Sequence, residues 1–143
     1  MEVVAIILAA GKGKRMNSDL PKPLHRIAGK TLMNWLEVSL DELKITNKIY
    51  VLGHQSEKLI KSIGTTDYVI QEPQLGTGHA VNLTKDKIKN HESIIIIAYA
   101  DTPFVPSDKI KKMISQIKSG YNISILGFVA SNPKGYGRVV KKG

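Results

Sequence analysis

Cysteine is absent from this chain of 143 residues. Without thiols the protein can form no disulfide framework, no thiolate zinc site and no cysteine nucleophile. This composition is compatible with a reducing compartment, where disulfides are rare. We therefore expect a cytoplasmic location.

Long hydrophobic stretches are missing as well. The longest apolar runs, residues 3–10 and 94–98, are well short of the ~20 residues that a helix needs to cross a bilayer. Glu2 precedes the first run, and no basic segment stands before it as it would in a secretory signal. The first run is therefore predicted to be a buried strand, and no membrane partner is expected.

Acidic residues are few, 12 against 21 Lys and Arg, which gives a formal net charge of +9. Nucleic-acid binding is the first explanation for such a balance. Aromatic residues, however, make up only 6% of the chain, and none lies among the basic residues near the N-terminus, so platforms for stacking bases are scarce. A triphosphate is the favoured ligand, because the basic residues cluster beside a Gly-rich turn with Asp19 as the single acid among them: Lys12, Lys14, Arg15, Lys22, Arg26 and Lys30.

Apolar β-branched runs alternate with helical patterns along the chain, which is typical of a parallel sheet with crossover helices. Several runs are apolar throughout, as in strands covered on both faces. The predicted class is α/β, a doubly wound and mostly parallel sheet in a single domain over residues 1–143. Strands are predicted at residues 3–8, 49–52, 68–70, 94–99 and 123–129, and helices near 32–43, 56–63 and 107–117, with a shorter one beginning after Thr77.

The segment from Leu8 to Met16, LAAGKGKRM, follows the first predicted strand. It is neither a Walker loop nor a dinucleotide fingerprint, because Met16 stands where each pattern needs a glycine. Small residues let backbone N–H groups approach a phosphate, and the interleaved cations offset its charge. Further on, Pro21 and Pro23 stiffen the backbone around Lys22, which suits a cation facing a developing phosphate charge. A flexible basic surface loop is the alternative, against which the prolines argue.

Residues 71–80, QEPQLGTGHA, follow another predicted strand and open a helix, where backbone donors gather. Gln71 carries both an amide donor and a carbonyl acceptor, the equipment for binding the edge of a base. A capping turn with Thr77 as N-cap is the alternative, and both can be true together. His79 has no partner close by in the sequence, so we expect it to pack at the start of the helix rather than to catalyse.

Asp101 comes directly after the most apolar predicted strand, in the stretch Tyr99-Ala100-Asp101. A carboxylate at the mouth of a buried strand is costly unless it meets a cation or a donor. Mg²⁺ prefers hard oxygen ligands and often takes one or two carboxylates together with substrate phosphates. Asp101 is therefore a candidate Mg²⁺ ligand, and capping of the next turn is its alternative role.

These segments together resemble the sugar-1-phosphate nucleotidyltransferases. The loop at residues 8–16 with Pro21 and Lys22 resembles the signature of that superfamily, and Gln71 with residues 74–80 is similar to the uracil-binding segment of bacterial N-acetylglucosamine-1-phosphate uridyltransferases. The resemblance implies a Rossmann-like nucleotidyltransferase fold. It also implies a Mg²⁺-dependent reaction of UTP with N-acetylglucosamine 1-phosphate, which yields UDP-N-acetylglucosamine for cell-wall peptidoglycan and releases pyrophosphate.

The resemblance also assigns roles to residues. It implies that Arg15 and Lys22 stabilise the reacting phosphates, that Asp101 binds Mg²⁺ and that Gly137 lies beside the amino sugar. Ala100 stands where the family has glycine, and its methyl group is expected to crowd the sugar of the nucleoside. The residues implied to contact the nucleotide are Leu8, Ala9, Ala10, Gly11, Lys22, Gln71, Gly76, Thr77, Tyr99 and Ala100.

In that family the same domain continues beyond the stretch that residues 1–143 match, and an acetyltransferase β-helix follows it. We therefore expect an incomplete nucleotidyltransferase-like domain without the acetyltransferase part. Three hypotheses stay open: an active enzyme completed by homo-oligomerisation or another chain, a UTP-binding module without turnover, and a fragment without function. A basic RNA-binding domain is the least favoured alternative.

Overall fold

The computed structural model describes residues 1–11, 13, 16–53 and 56–140. The chain divides into two compact units, Met1–Ser107 and Asp108–Gly143. The single domain over residues 1–143 stays a prediction.

The first unit is built on a four-stranded parallel sheet with the order β5-β4-β1-β6. A separate hairpin pairs β2 with β3 in antiparallel fashion. Since the chain fills one side of β1 before it crosses to β6, the direction of strand addition reverses at β1. The strands are β1 (Val3–Ala9), β2 (Arg26–Ile27), β3 (Lys30–Thr31), β4 (Asn47–Leu52), β5 (Tyr68–Ile70) and β6 (Ile94–Tyr99).

The core of the first unit is built around β1, which lies between β4 and β6 in the sheet. Its residues Ile6 and Ile7 are fully buried, as are Val51 and Leu52 on the neighbouring strand β4. Strands covered on both faces need apolar side chains at consecutive positions, not at alternate ones. This explains the continuous apolar runs of the sequence, and the predicted parallel α/β sheet is confirmed.

Four helices accompany these strands in the described part of the chain: α1 (Leu32–Glu42), α2 (Ser56–Ile63), α3 (Thr77–Asn82) and α4 (Ser107–Lys118). The hydroxyl of Thr31 caps α1 by accepting a hydrogen bond from the backbone N–H of Asn34 at 3.0 Å. Thr77 is not the N-cap of α3, which was its alternative role, since Gly76 takes that position with a φ of 98°. Glycine adopts such a left-handed conformation without steric cost. None of the described helices has the length and apolar character needed to span a bilayer.

The second unit contains most of α4, and its residues 121–140 adopt no regular helix or strand. The predicted strand at residues 123–129 is therefore wrong. Ile123, Ile125 and Phe128 are exposed, at 75%, 69% and 71%. A β-branched run becomes a strand only when a neighbouring backbone pairs with it, and no strand in the described residues does so.

Candidate active site

A cavity of about 710 Å³ opens at the carboxyl ends of β1 and β6. Open α/β sheets bind ligands at this end, where the strand order reverses. The lining residues all belong to the first unit: Leu8, Ala9, Ala10, Gly11, Gly13, Met16, Lys22, Pro23, Gln71, Gln74, Gly76, Thr77, Ala80, Tyr99 and Asp101.

The end of β1 supplies the floor of the cavity. The carbonyl of Leu8 accepts a hydrogen bond from the backbone N–H of Ala100 at 3.0 Å, which ties the ends of β1 and β6 together. Gly13 has a φ of 55°, and a Cβ there would lie 3.2 Å from the Cβ of Lys22. The glycine thus lets the loop approach the lysine closely, in a conformation that other residues rarely adopt.

Lys22 is held by its neighbours as the two prolines predict. Pro21 precedes a 3₁₀ turn over Lys22–Leu24, and Pro23 is buried inside it. The backbone N–H of Leu24 donates to the carbonyl of Pro21 at 2.9 Å. This turn fixes the backbone of Lys22 beside the cavity.

Lys22 and Asp101 form an ion pair across the cavity, with 2.6 Å between Nζ and Oδ2. About a third of each side chain is exposed, 33% for the lysine and 37% for the aspartate. The ion pair offsets the cost of placing a carboxylate directly after the apolar strand, because Asp101 there meets a cation. Both groups remain within reach of a ligand in the cavity.

Among the described residues that line the cavity, Asp101 is the only acidic one. In the ranges that the structure describes, no group of three or more His, Cys, Asp or Glu could enclose a metal ion. A single carboxylate with open space beside it fits a hard cation that takes its other oxygens from phosphates and water, as Mg²⁺ commonly does. It does not fit a metal held in a cage of protein ligands.

Gln71 lies at the end of β5 and is 5% exposed. Its backbone N–H donates to Leu52 at 2.7 Å. Its side-chain Nε2 donates to the carbonyl of Gly76 at 2.9 Å and lies 3.2 Å from Nδ1 of His79. His79 therefore has a polar partner that sequence proximity did not reveal, since α3 turns it back towards Gln71.

Gln74 links the segment after β5 to the loop after β1. Its side-chain Nε2 donates a hydrogen bond to the carbonyl of Ala10. Gly53 lies against both groups, because a Cβ at that position would stand 2.7 Å from the Ala10 oxygen and 2.7 Å from Gln74 Nε2. Three chain segments meet here, two through their backbone and the third through the side chain of Gln74.

Most of the predicted site residues line this one cavity: Leu8, Ala9, Ala10, Gly11, Lys22, Gln71, Gly76, Thr77, Tyr99 and Asp101. The structure does not place Ala100 among them, because Ala100 is fully buried. Gly137 is an exposed residue of the second unit. Arg15 lies outside the described residues.

Five lining residues were not among the predicted ones. Gly13, Met16 and Pro23 belong to segments that the sequence singled out, so their presence follows from the loops that carry them. Gln74 and Ala80 stand inside the Gln-Gly-rich segment, and the spacing of that segment held no signal for which glutamine would reach the loop after β1.

The model of the MobA-like NTP transferase domain matches residues 5–138 of the chain. The chain therefore belongs to this family of nucleotidyltransferases. It is 40% identical over 144 residues to the bifunctional protein GlmU of Sphingopyxis alaskensis, which covers 99% of this chain and 32% of the relative. It is 42% identical over 139 residues to the protein of the same name from Limosilactobacillus reuteri, covering 96% and 30%. The chain thus spans about a third of the length of these curated relatives.

Solved structures show the same fold. The protein Rv0371c of Mycobacterium tuberculosis superposes with a TM-score of 0.69 at 18% identity, over 83% of this chain and 62% of that one. Rv0371c has also been solved in complex with manganese, with a TM-score of 0.67 at 16% identity, over 83% of this chain and 61% of that one. The inositol-1-phosphate CTP transferase of T. maritima superposes at 0.55 and 22% identity, over 70% and 44%. The predicted Rossmann-like nucleotidyltransferase fold is confirmed.

Proposed function

We propose that the chain is a sugar-1-phosphate uridyltransferase domain, which joins UTP and N-acetylglucosamine 1-phosphate to give UDP-N-acetylglucosamine and pyrophosphate. The observation that carries the proposal is a single cavity lined by the loop after β1, the Lys22–Asp101 pair and Gln71. A loop for phosphates, a charge pair for a metal–triphosphate and an amide for a base are the parts that this reaction needs. Their meeting at the reversal point of the sheet supports one shared ligand.

The reaction is an in-line displacement at the α-phosphate of UTP. An oxygen of the sugar 1-phosphate forms a new P–O bond as the bond to the pyrophosphate bridge breaks, and pyrophosphate leaves with the electron pair. Such a transfer needs little covalent chemistry from the protein, because positioning and charge neutralisation supply most of the acceleration. The side chain best placed to neutralise phosphate charge is that of Lys22, since its backbone is fixed and its ammonium is partly exposed.

Asp101 would hold Mg²⁺ at the same place. When bound, the cation neutralises phosphate charge and supports departure of the pyrophosphate. Lys22 contacts Asp101 Oδ2, so binding of a triphosphate would draw the ammonium towards phosphate oxygens and leave the carboxylate to the cation. In the bound state Lys22 would contact phosphate oxygens and Asp101 would contact the cation, instead of contacting each other.

A UTP-binding module without turnover is the second candidate. It is favoured by the lining of the cavity, in whose described part Asp101 is a single carboxylate. Both candidates require nucleotide binding, and they differ only in the chemical step.

Two measurements separate these candidates. Calorimetric titration of UTP, CTP and ATP with Mg²⁺ is expected to show preferential binding of UTP. Pyrophosphate release with UTP and N-acetylglucosamine 1-phosphate, compared with glucose 1-phosphate, then reports turnover. UTP binding without pyrophosphate release would support the UTP-binding module, and no binding of any triphosphate would contradict both candidates. The substitution Lys22→Met should weaken UTP binding, and Lys48→Met is its matched control, because it removes a lysine that pairs with Asp41 away from the cavity.

A further inference from the structure

We propose that His79 is a positioning residue that orients the amide of Gln71 and so makes the site select uracil over cytosine. The inference rests on the proposed function and deepens it, because it assigns base specificity to a residue outside the cavity lining. His79 is half-buried on α3 and is not among the residues that line the cavity. It can therefore influence a base only through Gln71.

The orientation of the Gln71 amide begins with Gly76. Its carbonyl oxygen accepts the backbone N–H of Ala80 at 3.1 Å, so the first turn of α3 holds it in place. The same oxygen lies 2.9 Å from Nε2 of Gln71. A carbonyl can only accept hydrogen bonds, and an amide oxygen turned towards it would be repelled. The NH₂ group of Gln71 must therefore face Gly76.

His79 accepts a hydrogen bond from the second hydrogen of that NH₂ group. Its Nδ1 lies 3.2 Å from Nε2 of Gln71 and must be the acceptor, because the amide nitrogen only donates. The ring proton of neutral His79 consequently resides on Nε2. Both donors of the amide are then used inside the protein, and a reversed amide would lose both hydrogen bonds.

The amide oxygen is the group that Gln71 leaves for a ligand. Oε1 has no hydrogen-bond partner among residues 1–11, 13, 16–53 and 56–140. No side-chain nitrogen or oxygen of these ranges is both fully buried and without a partner, which fits an Oε1 that is open to the cavity. Gln71 lines the cavity and only 5% of its surface is exposed, which makes the cavity the place where Oε1 accepts a hydrogen bond.

An acceptor at this position discriminates between pyrimidines. Uracil offers the N3–H as a donor, whereas N3 of cytosine is an acceptor and would face Oε1 with a lone pair. Cytosine carries its donor on N4, so it could reach Oε1 only after a shift of the whole base. A site built around one hydrogen bond rejects an analogue that cannot make it, because its own polar group is left unpaired. Thymine shares the N3–H, so this contact does not separate it from uracil.

The test compares two substitutions of His79 by calorimetry with UTP, dTTP and CTP in the presence of Mg²⁺. His79→Asn keeps an acceptor near the position of Nδ1, whereas His79→Leu removes it with a similar volume. We expect the wild type and His79→Asn to prefer UTP and dTTP, and His79→Leu to lower the ratio of CTP to UTP dissociation constants about fivefold, the usual worth of one hydrogen bond. A role in packing alone would weaken all three nucleotides together, and an unchanged ratio in folded His79→Leu overturns the proposal.

A measurement on the wild-type protein covers the case in which His79→Leu does not fold. Long-range ¹H–¹⁵N spectra report which ring nitrogen of neutral His79 carries the proton. We expect the Nε2–H tautomer, and an Nδ1–H tautomer would overturn the proposal whatever the variants do. If no triphosphate binds, the proposed function and this specificity role fail together. If UTP binds with an unchanged ratio, only the role of His79 fails.

Discussion

Lys22 competes with a metal cation for the carboxylate of Asp101. Their 2.6 Å contact means that a cation approaching Oδ2 of Asp101 must displace or share with the Lys22 ammonium. A triphosphate removes this competition, because its oxygens offer the ammonium another partner. At this site the binding of cation and nucleotide should therefore be mutually supportive.

The substitution Lys22→Met is expected to move two affinities in opposite directions. Affinity for Mn²⁺ alone rises about threefold, since a partly exposed ion pair is worth little more than this. Affinity for UTP falls about tenfold, because a charge-assisted hydrogen bond to phosphate is lost. Titration with each ligand measures both effects, with Lys48→Met as the control that disrupts the pair with Asp41. A loss of affinity for Mn²⁺ alone would contradict the competition.

Tyr50 ties α1 to the sheet, and its titration should be visible in the stability of the fold. The hydroxyl donates to Oε1 of Glu37 at 2.5 Å. Burial, and then the hydrogen bond and charge of Glu37, raise the pKa of Tyr50 well above its ordinary value. Because the raised pKa favours the neutral form in the folded state, the contribution is present below about pH 10 and is lost as the pH rises further.

The substitution Tyr50→Phe is expected to cost about 1–2 kcal/mol in the free energy of unfolding at neutral pH, the worth of a hydrogen bond to a charged group. Above about pH 10 the difference between variant and wild type shrinks, because only the wild type loses stability as the unfolded tyrosine ionises. Urea denaturation at about pH 8 and about pH 10.5 measures both values. A difference that grows with pH would refute the assignment.

At the scale of elements, the loops after β1, β4 and β5 meet where Gly53 lies against Ala10 and Gln74. A Cβ at residue 53 would come within 2.7 Å of the Ala10 oxygen and of Gln74 Nε2. The contact joins the loop after β1 to the segment that carries Gln71. The contact combines the backbone of Gly53 and Ala10 with the side-chain amide of Gln74, so it couples the positions of these loops.

Gly53→Ala is expected to destabilise the protein by about 1–3 kcal/mol, as overpacking usually does. It should also weaken UTP binding, because the alanine separates Gln74 from Ala10. Gly127→Ala is the matched control, since a Cβ at residue 127 meets nothing within 4 Å. Thermal unfolding and UTP titration measure the two effects. In a double-mutant cycle with Gln74→Ala the effects should be less than additive, and full additivity would show that the two residues act separately.

At the scale of the whole molecule, β6 combines an exposed apolar face with an edge that is unpaired in the described part of the chain. Ile95, Ile97 and Tyr99 share one face of the strand and are 36%, 48% and 46% exposed. In the described part of the chain β6 pairs only with β1, so its other edge has backbone groups to offer. Apolar edges of this kind favour association with another chain, and a homo-oligomer stays a prediction.

Ile97→Lys is expected to reduce self-association, because a lysine on an edge strand opposes strand pairing. Light scattering coupled to size exclusion over a range of concentrations measures the mass. Val139→Lys makes the same chemical change at an exposed residue of the second unit that lies in no strand. Equal masses for wild type and Ile97→Lys at every concentration would rule out the edge as an interface.

The sequence by itself determined the four strands of the parallel sheet and the helices α1 to α4, because apolar runs and their periodicity are local properties. It did not predict the two-residue strands β2 and β3. It also predicted residues that line one cavity, since the segments after β1, β5 and β6 carry glycines, a lysine, a glutamine and an aspartate. It was wrong at residues 123–129, where a strand-like composition finds no paired neighbour in the described chain. Strand formation there depends on a partner backbone that composition does not describe.

Only the tertiary structure decided how these groups face one another. Lys22 meets Asp101 across 79 residues of sequence, and Gln74 reaches Ala10 across 64. Whether the NH₂ group or the oxygen of the Gln71 amide faces the cavity depends on where α3 places His79 and the Gly76 carbonyl. The direction of a hydrogen bond follows from the positions of both partners, and packing sets those positions.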